Sequence, residues 1–279
     1  MSKSSLAVII LAAGKGTRMK SRTPKVMHEI AGLPMISHVI KAAESLKPSK
    51  IVVVVGPGMD EVAAAVKPHV VVIQKAQKGT GDAVKTALDA LKNFKGSDIL
   101  VLYGDAPMIE PDDLDSLVLR RASGKQTGIA VAAMRTETPQ GYGRIILNKD
   151  GSLKKIVEEK DASPVEAEID LCNAGFMCID ASKINSWIGK IGSANAQKEF
   201  YLTDLPAIAA KEGYQTLIAE IDEDNAYGVN DRLNLTIAEQ IFQNRKRLGF
   251  LSEGVTMADP NTVYFSWDTK IAADVSIEP

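Results

Sequence analysis

Five successive apolar residues, Ile51-Val52-Val53-Val54-Val55, leave a strand with no polar face. Side chains alternate across a strand, so such a run in a surface sheet would present half of them to water. It belongs inside a parallel sheet covered by helices on both sides. The neighbouring sequence supplies the remaining parts. Residues 7–12, 70–73 and 99–102 read as further apolar strands, and helical patterns begin at Pro34, cover 61–66 and begin again at Gly81. Strands alternating with helices give βαβ units, and right-handed crossovers make them a doubly wound, mostly parallel sheet. In the first helix Pro34 is expected at N1, with Met35, Val39, Ala42, Ala43 and Leu46 at helical spacing and Pro48 as the stop.

The middle of the chain changes period. Between Gly128 and Asp180 the segments IAVAAM, GRIILN, LKKIVEE and AGFMCID read as strands with little room for helices, and predict a β-rich insertion or flap on the main sheet. Helical patterns return at 203–211 and 231–248, on either side of a strand-like 215–221. Phe265, Ile271 and Ile277 then recur every six residues, the spacing of a β-helix coil, although for so few positions an irregular apolar tail is the better reading of the residues alone.

Composition narrows the function classes. Lysine and arginine number 33 against 35 aspartates and glutamates, a net charge of −2, so the chain presents no polycation to nucleic acid, which disfavours a nonspecific binder while leaving room for a local basic pocket. Cys172 and Cys178 are the 2 cysteines, which fits a reducing compartment, and neither they nor His28, His38 and His69 have metal-ligand spacing. The apolar stretch from Leu6 to Ala13 is too short for a membrane span or a signal-peptide core. The expectation is a cytoplasmic protein with no membrane and no nucleic-acid partner.

Three segments carry candidate chemistry. LAAGKGTRM at 11–19 follows an apolar strand, and Gly14 and Gly16 allow a tight loop whose backbone N–H groups approach a phosphate or base. It is neither a dinucleotide fingerprint, because Met19 stands at the third glycine position, nor a P-loop, because Gly16 follows Lys15. Lys15, Arg18 and Lys25 nevertheless put three cations within reach of a polyphosphate, unless they are simply solvated turn residues. YGDAPMI at 103–109 ends a strand on Gly104-Asp105, where open α/β sheets bind ligands. A carboxylate beside phosphates implies an intervening Mg²⁺, while a turn or cap role is the alternative. QKGTGDA at 77–83 is a second glycine turn before a helix. GYGR at 141–144, EEKDA at 158–162 and NAG at 173–175 add polar groups, among which Glu158 and Asn173 could meet sugar hydroxyls or only solvent.

With these residues in hand, the sequence resembles the uridylyltransferase (pyrophosphorylase) domain of the bacterial bifunctional N-acetylglucosamine-1-phosphate uridyltransferase/glucosamine-1-phosphate acetyltransferase family. LAAGKGTRM, PKVMHEIAGLPM, QKGTGDAV, LYGDAPMI, GYGRI, IVEEKDA, NAGF, FYLTDL and GVNDR occur in that family's order and spacing. The resemblance implies a Rossmann-like nucleotidyltransferase fold with a mostly parallel sheet, a β-rich sugar-binding insertion and a C-terminal stub of left-handed β-helix. It divides the chain into a nucleotidyltransferase domain at 1–230, a connecting helix at 231–250 and the β-helix start at 251–279. Leu11, Ala12, Ala13 and Gly14 would line the nucleotide, with Arg18 and Lys25 on phosphates. Gln74, Gly79 and Thr80 would read the uracil, Tyr103 and Gly104 would wall the pocket, and Asp105 with Asn230 would hold Mg²⁺. Gly143, Glu158 and Asn173 would bind the N-acetylglucosamine part, with Tyr201 and Thr203 near its phosphate and Asn230 alongside.

The implied activity is Mg²⁺-dependent transfer of a uridylyl group from UTP to N-acetylglucosamine 1-phosphate, giving UDP-N-acetylglucosamine and pyrophosphate for peptidoglycan and lipopolysaccharide precursors. The sugar phosphate is already an anionic nucleophile, so Arg18, Lys25 and Asp105 act by positioning and charge neutralisation. The rivals are a pyrophosphorylase for another sugar 1-phosphate or nucleotide, a catalytically silent regulatory subunit of the same fold, and an NAD-dependent oxidoreductase disfavoured by Met19. The family continues into a long trimerising β-helix that carries the acetyltransferase site, whereas this sequence stops at Pro279. A natural short form or a truncated chain is therefore expected, monomeric or weakly associated and without acetyltransferase activity.

Overall fold

The computed structural model describes residues 6–278; residues 1–5 and 279, which the expected domain ranges take in, lie outside them. In chain order β1 (Leu6–Ala12), a small hairpin of β2 (Glu29–Ile30) and β3 (Leu33–Pro34), α1 (Met35–Ser45), β4 (Lys50–Val55), α2 (Asp60–Ala65), β5 (Val70–Ile73), α3 (Thr80–Leu88), β6 (Asp98–Tyr103) and α4 (Pro111–Ala122) make the first half. The second half holds β7 (Thr127–Arg135), β8 (Arg144–Leu147), β9 (Leu153–Val157), α5 (Pro164–Ala167), β10 (Leu171–Asp180), α6 (Ile184–Ile188), α7 (Leu205–Lys211), β11 (Gln215–Glu220), α8 (Arg232–Ser252), β12 (Thr256–Met257) and β13 (Ser276–Ile277).

One mixed sheet dominates, ordered β11-β7-β10-β6-β1-β4-β5. β1 pairs in parallel with both β4 and β6, β4 pairs in parallel with β5, and β10 runs antiparallel between β6 and β7. The apolar run 51–55 is buried on both faces. Ile51, Val53 and Val55 pack with Val8, Ile10 and the α1 residues Ile36, Val39 and Ala43, whereas Val52 and Val54 pack with Ile9, Leu11 and the α3 residues Val84 and Ala87. Each such side chain contributes roughly 1.5–3 kcal/mol of transfer free energy, set against the conformational entropy of ordering it.

Three expectations are corrected. Pro34 is the N-cap of α1 with ψ 139°, not N1, because its extended ψ closes the β2–β3 hairpin before the first helical residue, Met35. The β-rich middle is not a flap as a whole. β7 and β10 are full members of the main sheet, and only β8 and β9 stand off its path, attached through the pair Cys172↔Arg144. Helix α4 was not anticipated, although Glu110-Pro111 with Asp113 at N3 is a start signal and the Glu110 N–H donates to the Asp113 carboxylate at 3.2 Å.

The tail makes one parallel return, with Thr256 opposite Ser276 and Met257 opposite Ile277. Phe265, Ile271 and Ile277, the residues of the six-residue period, share one cluster with Phe250, Val255 and Met257. The pairing is two residues long, and a stack of coils is absent among the described residues. No helix among the described residues is long and apolar enough to cross a membrane.

Candidate active site

Parallel strands deliver their carboxyl ends to one edge, and the loops that leave them build a cleft there. β1 runs into Ala13-Gly14, β5 into Gln74, and β6 into Gly104-Asp105. One lobe, about 450 Å³, is lined by Leu11, Ala13, Gly14, Lys25, Gln74 and Gly79 among others. A second, about 280 Å³, is lined by Gly143, Glu158, Asn173, Tyr201, Thr203 and Asn230 among others. Thr80, Tyr103, Asp105 and Glu199 line both, so the lobes are two halves of one site. A larger cavity of about 650 Å³ lies apart, between α1, α8 and residues 269–271, and contains none of the glycine loops.

The first lobe is made mostly of backbone. Gly79 adopts φ 101°, and a Cβ there would stand 2.7 Å from the Phe200 carbonyl oxygen, so only glycine lets the turn dock against residues 199–200. That docking is held by Gly81 N–H to Phe200 O at 2.8 Å, Phe200 N–H to Lys78 O at 2.9 Å and Leu202 N–H to the Thr80 hydroxyl at 3.0 Å. Gln74, 4% exposed, donates its amide to Gly79 O at 3.0 Å and to the Asp82 carboxylate at 2.8 Å. With both donors engaged, the amide keeps its oxygen as the group available to a ligand.

At the junction the Lys25 ammonium donates to the Asp105 carboxylate and to the Asn230 side-chain oxygen at 3.1 Å. Asn230 is brought there by two local devices. Val229 N–H donates to the Asp105 carbonyl at 2.8 Å, and Asp231 caps α8 by accepting from Asn234 N–H at 2.9 Å. One carboxylate and one amide oxygen thus converge on a single cation. This donor set fits a hard divalent ion whose remaining ligands are substrate phosphates and water. No cluster of three or more histidine, cysteine or acidic side chains forms a self-sufficient metal cage among the described residues.

The second lobe is made of side chains on antiparallel strands. A register shift in β10 between Asn173 and Met177 turns Asn173 and Gly175 toward the cleft, and the Asn173 oxygen accepts from Gly175 N–H at 3.0 Å. Thr203 donates its hydroxyl to Glu158 at 2.7 Å, and burial raises the Glu158 carboxyl above the ordinary glutamate range. Tyr201 donates to Gln197 at 3.0 Å. Burial, with the Glu158 and Asp105 charges adding to it, pushes the Tyr103 phenol far above its usual range, so the wall between the lobes keeps its proton. Cys172 and Cys178 are free, buried thiols raised by the same effect, which leaves neither as a nucleophile.

The sequence profile of the MobA-like NTP transferase domain matches residues 8–168. The chain belongs to this family. It is 45% identical over 279 residues to the bifunctional protein GlmU of Paramagnetospirillum magneticum, covering 100% of this chain and 62% of that protein. The bifunctional protein GlmU of Rhodospirillum rubrum is 42% identical over 270 residues, 97% of this chain and 60% of that one. The chain thus spans about three fifths of the length of these curated relatives. Among solved structures, CMP:2-keto-3-deoxy-manno-octonic acid synthetase complexed with CTP superposes with a TM-score of 0.66 at 18% identity, covering 87% of this chain and 100% of that one. The inositol-1-phosphate CTP transferase from T. maritima gives 0.64 at 15% identity, covering 86% and 96%. At that identity the likeness is one of fold, the Rossmann-like nucleotidyltransferase sheet. Nucleotidyltransferases of this kind generally use a divalent metal.

Most of the residues to which the resemblance gave a ligand or metal line one lobe or the other. Two do not. Gly104 is buried behind the wall with its N–H on Leu11 O at 2.9 Å, and Arg18 is exposed in the turn Thr17–Met19 and lines neither lobe. Several lining residues went unread in the sequence. Gln77 donates to Ala13 O at 2.5 Å and ties the two glycine loops, and Glu199 reaches both lobes from a segment that Asn195 clamps through Glu199 N–H at 3.1 Å and Glu199 O at 2.6 Å. Gln77, within QKAQKGTG, lies beside a motif already noted. Glu199 had no local signal, since its place depends on contacts more than a hundred residues away.

Proposed function

We propose that the chain catalyses uridylyl transfer from UTP to N-acetylglucosamine 1-phosphate, giving UDP-N-acetylglucosamine and pyrophosphate, a supply reaction for peptidoglycan and lipopolysaccharide precursors. The observation that carries the reading is the two-lobed site whose lobes meet at Asp105, with Asn230 beside it. The glycine loop Leu11, Ala12, Ala13, Gly14 and the segment Gln74, Gly79, Thr80 take the nucleotide. The Gln74 amide oxygen accepts from the imide N–H of uracil, a proton that cytosine lacks at that position. Gly143, Glu158 and Asn173 take the acetamido sugar, and Tyr201 and Thr203 lie toward its phosphate.

The sugar phosphate is anionic at neutral pH and needs no base. Its oxygen attacks the α-phosphorus in line with the departing pyrophosphate, and the protonated Tyr103 fixes the boundary across which the bond forms. Lys25, with Arg18 swung in from its exposed turn, neutralises charge on the leaving group. Mg²⁺ held by Asp105 and Asn230 supplies Lewis-acid neutralisation of the phosphate oxygens when bound. The same reading takes 1–230 as the nucleotidyltransferase domain, 231–250 as a connecting helix and 251–279 as the start of a left-handed β-helix. The test is pyrophosphate release by the purified chain with UTP, N-acetylglucosamine 1-phosphate and Mg²⁺. Release that requires all three is expected, and equal release with CTP in place of UTP would overturn the base assignment.

A further inference from the structure

We propose that Lys25 is a two-position cation. In the free protein its ammonium sits between Asp105 and Asn230; when a divalent cation takes that place, the ammonium moves onto the phosphates of the nucleotide. The inference rests on the metal and nucleotide assignments above, and it makes metal and nucleotide binding depend on each other through one side chain.

Three observations carry it. First, the Lys25 ammonium touches both oxygen donors, Asp105 and Asn230, and its side chain is only 12% exposed. Mg²⁺ binds such oxygens at about 2.0–2.1 Å, and a second positive charge cannot stay on the same carboxylate oxygen without strong repulsion. Second, the base of the Lys25 side chain is packed closely, whereas its head is held by the same two oxygens that a metal would take. Lys25 opens the short turn Lys25–Met27 behind Pro24, and Gly16 at φ 60° lies so close that a Cβ there would stand 2.6 Å from Lys25 Cβ. The outer methylenes therefore supply the motion. Third, Lys25 also lines the first lobe beside Gly14 and Lys15, so the phosphates of a nucleotide filling that lobe are offered to the released ammonium.

The donor pair does not depend on Lys25 for its position, because Val229 N–H holds the Asp105 carbonyl at 2.8 Å and Asp231 caps α8. The free protein is consequently a poor metal binder, with its own lysine as the competitor. Metal affinity rises when the triphosphate offers that lysine a second anchor, and by linkage the nucleotide gains equally.

The experiment uses Mn²⁺ alone as the probe, with free ion counted by electron paramagnetic resonance, on the full chain without nucleotide. Lys25→Met removes the competitor and should bind Mn²⁺ about tenfold more tightly than wild type. Lys25→Arg should stay near wild type. Lys15→Met, which removes an equal charge that touches neither donor, should change affinity by less than about twofold. Lys25→Gln gives the same reading should the methionine variant melt early. Equal or weaker Mn²⁺ binding in the neutral variants, or a gain that survives adding Asp105→Ala to Lys25→Met, overturns the exchange. Pyrophosphate release by wild type is scored separately. Its absence overturns the functional reading, whereas unchanged Mn²⁺ affinity beside normal release overturns only the exchange.

Discussion

The two lobes solve different recognition problems with different material. The first is built from loops at the ends of parallel strands, where glycine turns present main-chain groups and one side-chain amide is braced by the loop it serves. The second is built from side chains on antiparallel strands and a distant loop, with Glu158 and Thr203 bonded to each other across 45 positions. Backbone recognition tolerates side-chain change but not an added Cβ; side-chain recognition has the reverse sensitivity. At the boundary, where the proposed nucleotide and sugar phosphate would meet, the charged and polar groups come from three separated places, the Lys25 ammonium and the Asp105 and Asn230 oxygens that accept from it.

That contrast can be broken in order of expected effect. Removing the carboxylate shared by the lobes should harm both at once: Asp105→Ala is expected to lower turnover roughly 30- to 150-fold, about 2–3 kcal/mol of transition-state stabilisation. Steady-state turnover near wild type would remove Asp105 from the boundary role. A methyl group in the first lobe should act on the nucleotide alone. Gly79→Ala meets both a forbidden φ and the Phe200 carbonyl, at a cost of about 1–3 kcal/mol, so UTP affinity by calorimetry should fall about tenfold or more while sugar-phosphate affinity is spared.

The mirror experiment is Glu158→Ala, expected to raise KM for the sugar phosphate several-fold and leave UTP affinity within about twofold. An equally large loss of UTP affinity would reverse the division of labour. The smallest effect sharpens the same residue through pH. Burial raises the folded-state pKa of Glu158, so its stabilising contribution is present below the unfolded pKa and is lost as pH rises through the folded one. At neutral pH the charged, part-buried carboxylate therefore works against stability. Glu158→Gln should melt slightly higher than wild type at pH 7, by a degree or so for about 0.5 kcal/mol, with the gain disappearing below the ordinary glutamate range. A gain that grows on acidification would contradict the assigned cause.

Legibility follows the same divide. The first lobe was readable because its elements are contiguous in sequence: a strand, a glycine turn and a helix start within each of LAAGKGTRM and QKGTGDA. Residues of the second lobe could be named from the family resemblance, but composition and spacing gave each of them a solvent-exposed alternative. Their convergence needs the β10 register shift and the antiparallel insertion of β10 between β6 and β7, which no local pattern encodes. Reading the whole middle as an insertion or flap holds for β8 and β9 but missed β7 and β10 for that reason. Short apolar strands look alike whether they join the main sheet or leave it.

By itself the sequence determined the parallel half of the sheet, because runs such as 51–55 have one solvent-free solution, and it marked the glycine loops, because Gly16 at φ 60° and Gly79 at φ 101° take the backbone that favours glycine. Tertiary structure alone decided which strands of the middle entered the sheet, that Glu199 stands at the boundary, and that Lys25 bridges Asp105 and Asn230 from 80 and 205 positions away. Local preference fixes backbone conformation within a turn or a helix. The meeting of charges so far apart along the chain is set by packing, which exists only once the core has formed.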